Sequence, residues 1–174
     1  MTVPNQPQES PGLRPEPEIT QQQFDMVVQQ RRDNQNLGLG IIGGAIGALV
    51  GAALWALVTG ITNFQIGFMA VGVGFLTGYG VRKFGQGVDK SFGFVGAVLS
   101  LIGCLLGNLM VICIAGSKEL GIGVFELLGH ITPSVYVDLL KETFSPIDLV
   151  FYAIAVYEGF KFSIVRITAA DLTH

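Results

Sequence analysis

Charge is what this chain has least of. Asp, Glu, Lys and Arg make up 13% of its 174 residues, about half the share of a soluble domain. Between positions 37 and 116 the charges reduce to Arg82, Lys83, Asp89 and Lys90, all in one cluster. A basic stripe with interleaved aromatics is missing, which argues against nucleic acid as a partner. The net charge of −3 and a pI near 5.3 point the same way. Cysteine is scarce too. Cys104 and Cys113 fall in one apolar run, about 180° apart on a helix, so they cannot pair within it and read as small packing residues. The two histidines are His130 and His174. With Glu126, His130 makes a two-ligand pair, short of the three or four ligands zinc takes. No metal or other cofactor is therefore expected. Ser, His and Asp are too scattered for a triad, so no enzyme is expected either. No basic segment precedes a short apolar core at the start, which argues against a cleavable signal peptide.

What the chain does have is hydrophobic length. Half of its residues are hydrophobic and the mean hydropathy is +0.56. Its apolar runs exceed the roughly 18 residues that suggest a membrane span. The expected fold is an all-α integral membrane protein with four transmembrane helices, at about 37–59, 66–81, 91–115 and 146–164 within a membrane domain 37–166. Residues 1–19, rich in Pro and Gln, read as a disordered tail. A polar juxtamembrane helix should occupy 20–36, opened by Thr20 and Gln23 as in a capping box. Segment 117–145 is less hydrophobic and reads as two short amphipathic helices lying at the outer surface. The second should start at Thr132-Pro133, because proline suits the first helical position.

Glycine spacing organises the spans. Gly40, Gly44, Gly47 and Gly51 recur at intervals of four, three and four, within roughly 60° of arc on a helix. Each glycine costs a water-exposed helix about 1 kcal/mol against alanine. In a bilayer the backbone must bond internally, so the helix forms anyway and the stripe becomes a track for another helix. Gly96, Ser100, Gly103 and Gly107 repeat the same intervals in the third span. That repetition fits an ancestral duplication, or convergent use of small residues at contacts; the fourth span does not resemble the second. Either way the stripes favour contacts inside one bundle over a lone dimerisation motif.

Basic residues near span ends set the orientation. Arg31, Arg32, Arg82, Lys83, Lys90, Lys161 and Arg166 fall on one side of a four-span arrangement, against Lys118 and Lys141 on the other. Both termini should be cytoplasmic. Gly38-Leu-Gly-Ile-Ile-Gly43 matches a dinucleotide fingerprint literally, but a polar stretch precedes it and no acidic residue follows before Asp89, so nucleotide binding is not expected.

Glu158 is the acid set deepest in an apolar run. It is either an intramembrane proton or ion-pairing group or half of an interfacial salt bridge with Lys161, Arg82 or Lys83, and the second reading is favoured. Asn108 suits an interhelical hydrogen bond better than a substrate contact. In the loop between the second and third spans Asp89 should pair with Arg82 and Lys83, while Phe84 and Phe92 anchor the turn at the interface.

Gly78-Tyr-Gly-Val-Arg-Lys-Phe-Gly-Gln-Gly-Val-Asp-Lys-Ser-Phe-Gly93, the apolar run through Asn108, and Ala153-Ile-Ala-Val-Tyr-Glu-Gly-Phe-Lys161 resemble small multi-pass bacterial membrane proteins of unassigned function. The resemblance covers about 37–165. It implies a bacterial inner-membrane setting and no activity. Two functional readings follow. The first is a structural or interaction protein whose partners are membrane lipid, itself or another membrane protein. The alternative is a small oligomeric transporter or channel using Glu158 and Asn108.

Overall fold

A computed structural model describes residues 21–62 and 67–167. The tail expected at 1–19, the proposed cap at Thr20 and residues 63–66 lie outside the described residues. Among the described residues there are seven α-helices and no strand: α1 Gln21–Asn34, α2 Leu37–Thr62, α3 Met69–Gly85, α4 Lys90–Leu120, α5 Val124–His130, α6 Pro133–Thr143 and α7 Pro146–Ser163.

Local chemistry explains most helix ends. Asn36 starts α2: its Oδ1 accepts from the Leu39 amide at 3.0 Å, taking one of the orphan donors of the first turn. Pro133 and Pro146 open α6 and α7, and Ser145 and Asp148 close a reciprocal capping box at α7. α4 runs past the expected end at 115 because its stop signal is Gly121, which takes a left-handed φ of 67°. α3 continues through Arg82 and Lys83 to Gly85, and Gln86 then turns the chain with φ 48°. α2 runs to Thr62 rather than 59.

Two helices, α2 and α4, are long and apolar enough to cross a membrane. α3 has 17 residues and carries Arg82 and Lys83 in its last turn. α7 has 18 residues but carries Asp148, Glu158 and Lys161.

Small residues fix the packing. The stripe on α2 faces α3 and α4: a Cβ on Gly44 would lie 2.5 Å from Val81 Cγ2 and 2.7 Å from Leu99 Cδ1, and one on Gly51 would lie 3.0 Å from Val73 Cα. Gly43 and Gly80 meet backbone to backbone. The other side of α3 meets α7, with Gly74 on Ala155 and Gly78 on Gly159 and Phe162. The stripe on α4 is divided. Gly96 and Ser100 meet Gly159 and Ser163 of α7, Gly103 meets Val73 and Ala48, and Gly107 meets the Trp55 ring. α2 gives its four stripe glycines mainly to one neighbour while α4 shares its small residues among three, so the matching intervals do not produce matching contacts. α3 and α4 form a central pair with α2 and α7 on opposite sides.

The core contains Trp55, Ala70, Val73, Cys104, Val111, Tyr152 and Ala155. Most large apolar side chains point the other way: Ile42, Ile46, Leu49, Leu57, Val98 and Leu149 are exposed. Only 39% of the most apolar stretch of α2, and the same share of α4, is buried. Beyond Gly121 the chain turns back along α4, where Leu127 of α5 covers Gly116. Tyr136 of α6 then donates its hydroxyl to the carbonyl of Leu105, 2.7 Å away. The two short helices expected in 117–145 are present. α6 is anchored halfway down α4, which corrects a purely surface placement.

Candidate functional site

Polar side chains gather at two places in an otherwise apolar bundle. The first is the end that collects the α1–α2 junction, the α3–α4 loop and the end of α7. Asp89 precedes α4 with extended backbone but does not cap it through its side chain. Its carboxylate instead accepts from Gln35 Nε2 at 2.5 Å and pairs with Arg32 Nε at 3.2 Å. Gln35 completes the exchange, because its Oε1 accepts from the Val88 amide at 3.2 Å. Two backbone bonds flank it: Asn36 N donates to Gly85 O at 2.9 Å, and Val165 N donates to Gly87 O at 2.8 Å. Beneath the loop lies the ring of Phe92, 2% exposed. Gly40, Gly85 and Gly87 close around it; a Cβ on Gly85 would lie 2.6 Å from the ring.

This clasp corrects two expectations. Asp89 pairs with Arg32 and Gln35, not with Arg82 or Lys83, because α1 folds its last turn over the loop. Phe92 is a buried plug under the turn, while Phe84 stays half exposed. The sequence marks Arg32 only as one of the basic residues that set the orientation, and does not mark Gln35. A glutamine 54 positions from its partner leaves no local signal.

The second place is the opposite half of the bundle interior. Trp55 Nε1 and Thr59 Oγ1 of α2, Asn108 Oδ1 of α4 and Tyr152 Oη of α7 are buried atoms without a hydrogen-bond partner. Asn108 is 1% exposed and Trp55 likewise. Tyr152 sits beside Asn108 and packs edge-on against Phe144 with ring centres 5.9 Å apart. Asn108 thus meets Tyr152 between α4 and α7, the interhelical contact expected of it, while its Oδ1 stays unpaired. Buried polar atoms normally find partners, and an orphan costs about 1–3 kcal/mol. Cys104 Sγ lies 3.8 Å from the Ala70 carbonyl, and both cysteines are buried thiols.

Glu158 belongs to neither group. It lies off the buried line of Tyr152, Ala155, Gly159 and Ser163, on the side of α7 that carries Phe151 and Phe162 toward α3. Among the described residues no cation pairs with it. Lys161 lies instead over the rings of Tyr157 and Phe162, at 5.5 and 5.8 Å, and Lys83 lies 5.8 Å from the Tyr79 ring. The favoured salt bridge is therefore not formed, because aromatic neighbours take those cations. The structure does not bring Glu158 and Asn108 together: one faces the α3 edge, the other the interior. His130 Nδ1 meets the backbone carbonyl of Glu126 at 2.8 Å, not its carboxylate. On α6, the Tyr136 hydroxyl has its pKa raised by burial.

No family model matches the chain, and neither a curated protein nor a solved structure does. The class that stands is therefore architectural: an all-helical protein with two helices able to cross a membrane.

Proposed function

We propose that the chain is a four-span protein of a bacterial inner membrane, crossing through α2, α3, α4 and α7, with both termini cytoplasmic and a structural or interaction role rather than an enzymatic one. The observation that carries the membrane reading is the inverted packing. Glycine, alanine and serine fill the helix contacts, and leucine, isoleucine and phenylalanine cover the outside. In water that outside would aggregate; in lipid it is the solvated face. α3 and α7 are the weaker spans by composition. Their charges lie toward helix ends, apart from Glu158, and Lys83 and Lys161 carry long stems that reach an interface.

The clustering of Arg31, Arg32, Arg82, Lys83, Lys90 and Lys161 at the clasp end supports the orientation. The interaction role rests on the absence of a chemical constellation at either polar place among the described residues. A transporter or channel using Glu158 and Asn108 has less support, since the two residues occupy different faces. Two measurements test the proposal. Carbonate extraction should leave the protein in the membrane pellet, and single reporter cysteines at Arg166 and Glu119 should label from opposite sides. Release into the soluble fraction or same-side labelling would overturn it. Crosslinking in native membranes should capture a discrete partner or a second copy. Ion or solute flux in proteoliposomes, abolished by Glu158→Gln, would instead favour the transporter.

A further inference from the structure

A groove of about 340 Å³ runs between α2 and α4 on the outside of the bundle, lined by Ile41, Phe94, Val95, Val98 and Leu99 and by no polar surface. Its floor exists because Gly44 has no side chain, which lets Leu99 close against α2. Phe94 forms one wall and is braced from behind by Phe160 of α7, edge to face with ring centres 5.5 Å apart. Lys90, Phe94 and Val98 follow at intervals of four, so they form one stripe along α4. Lys90 is exposed and ends that stripe at the clasp end. The neighbouring acid, Asp89, is already held by Arg32 and Gln35, so it does not neutralise Lys90.

We infer that this groove is a binding site for one acyl chain of an anionic glycerophospholipid of the cytoplasmic leaflet, whose phosphate headgroup is held by Lys90. The inference rests on the membrane orientation proposed above. Inside a bilayer the apolar lining gives no preference by itself, because lipid tails are as apolar as the side chains that meet them. What separates a bound lipid from its neighbours is a fixed groove combined with a charge at the correct height. Here the groove axis and the cation share one helical stripe. A lysine at a membrane surface favours anionic lipid by about fivefold.

The test uses the full chain purified in detergent, with phosphatidylglycerol or phosphatidylcholine added and retained lipid counted by native mass spectrometry. Phosphatidylglycerol should be retained about fivefold over phosphatidylcholine. Lys90→Gln should bring the two to parity without changing the melting temperature in detergent alone. Val98→Trp, which fills the groove from the lipid side, should remove retention of both. Ile41→Trp does the same from the opposite wall and serves if Val98→Trp misfolds. Equal retention of the two lipids by the unaltered protein, or an undiminished preference in Lys90→Gln, overturns the proposal. So does retention unchanged in the tryptophan variants. Carbonate extraction separates this failure from that of the membrane reading. A protein that stays in the pellet without lipid preference loses only the lipid site; one released to the supernatant loses both.

Discussion

The Tyr136 hydroxyl and the Leu105 carbonyl meet at 2.7 Å across 31 positions of sequence. This bond fixes the chain between α4 and α7, which would otherwise be a loop of two short helices. It also gives a pH signature. Burial raises the tyrosine pKa above its ordinary value of 10.0, so the folded protein keeps a proton that the unfolded chain loses. The stabilisation is fully present below pH 10 or so and is lost as pH rises through the folded-state pKa. Melting temperatures measured from pH 7 to 11 should fall at the alkaline end. Tyr136→Phe should lower stability by about 1 kcal/mol at pH 7 and flatten the part of that fall due to this group. An unchanged alkaline slope would show that the hydroxyl is not buried in the folded protein.

The α2–α3 contact allows no side chain at its closest point. Gly80→Leu should abolish the bundle or cost at least the 1–3 kcal/mol of ordinary overpacking, since the added Cβ would meet the Gly43 carbonyl. Gly72→Leu is the control: nothing lies within 4 Å of its Cβ position. It should stay within about 0.5 kcal/mol of the unaltered protein. Thermal unfolding in detergent compares the two, and equal melting points would refute the packing.

The clasp should behave as a unit. Gln35→Ala removes both the donor to Asp89 and the acceptor for Val88, and about 1–3 kcal/mol of local stability should go with it. The expected readout is faster amide exchange at Val88 and at the start of α2, with α7's first turns unaffected. Phe92→Ala should be worse, about 3–5 kcal/mol, because the plug beneath three glycines would leave a cavity. If exchange near Val88 stays as slow in Gln35→Ala, the side-chain bonds contribute nothing.

Asn108 is a buried amide whose oxygen has no partner, so Asn108→Leu should leave stability unchanged or raise it by about 1–3 kcal/mol. Leucine branches at the same carbon but is bulkier, so Asn108→Val, which adds less volume, is measured beside it and a loss counts only where both variants show it. A clear loss of melting temperature would show that the amide is satisfied in the working protein, by water or by a bound molecule.

Much of the fold could be read from local chemistry, and the failures share a cause. Pro133, Pro146 and the glycine intervals act within a few residues, so the helices they start or shape were visible as expectations. The ends of α2 and α4 were not, because apolar composition fades gradually while the true stop on α4 is the backbone of Gly121. The partners of Asp89, Lys161 and Tyr136 were hidden for a different reason. Each depends on which neighbour a flexible side chain prefers once the helices are assembled. Arg82 and Lys83 are close to Asp89 in sequence, yet the last turn of α1 and the junction after it bring Arg32 and Gln35 from more than fifty positions away. Lys161 had Glu158 three residues off and chose two rings. Phe92 reads as an interfacial anchor from sequence because the pocket that buries it is made by Gly40, Gly85 and Gly87, which come together only in the fold.

The central pairing of α3 with α4 has a mechanical consequence. α2 and α7 stand on opposite flanks, and each leans on both members of that pair rather than on the other. A partner pulling or tilting α7 would therefore be felt at α2 only after passing through the backbone contacts of Gly74, Gly78, Gly96 and Gly159, and at the clasp end through the bond between Val165 and Gly87. Those contacts hold little side chain to absorb a shift, so α7 and α2 are coupled only through the α3–α4 pair that both lean on.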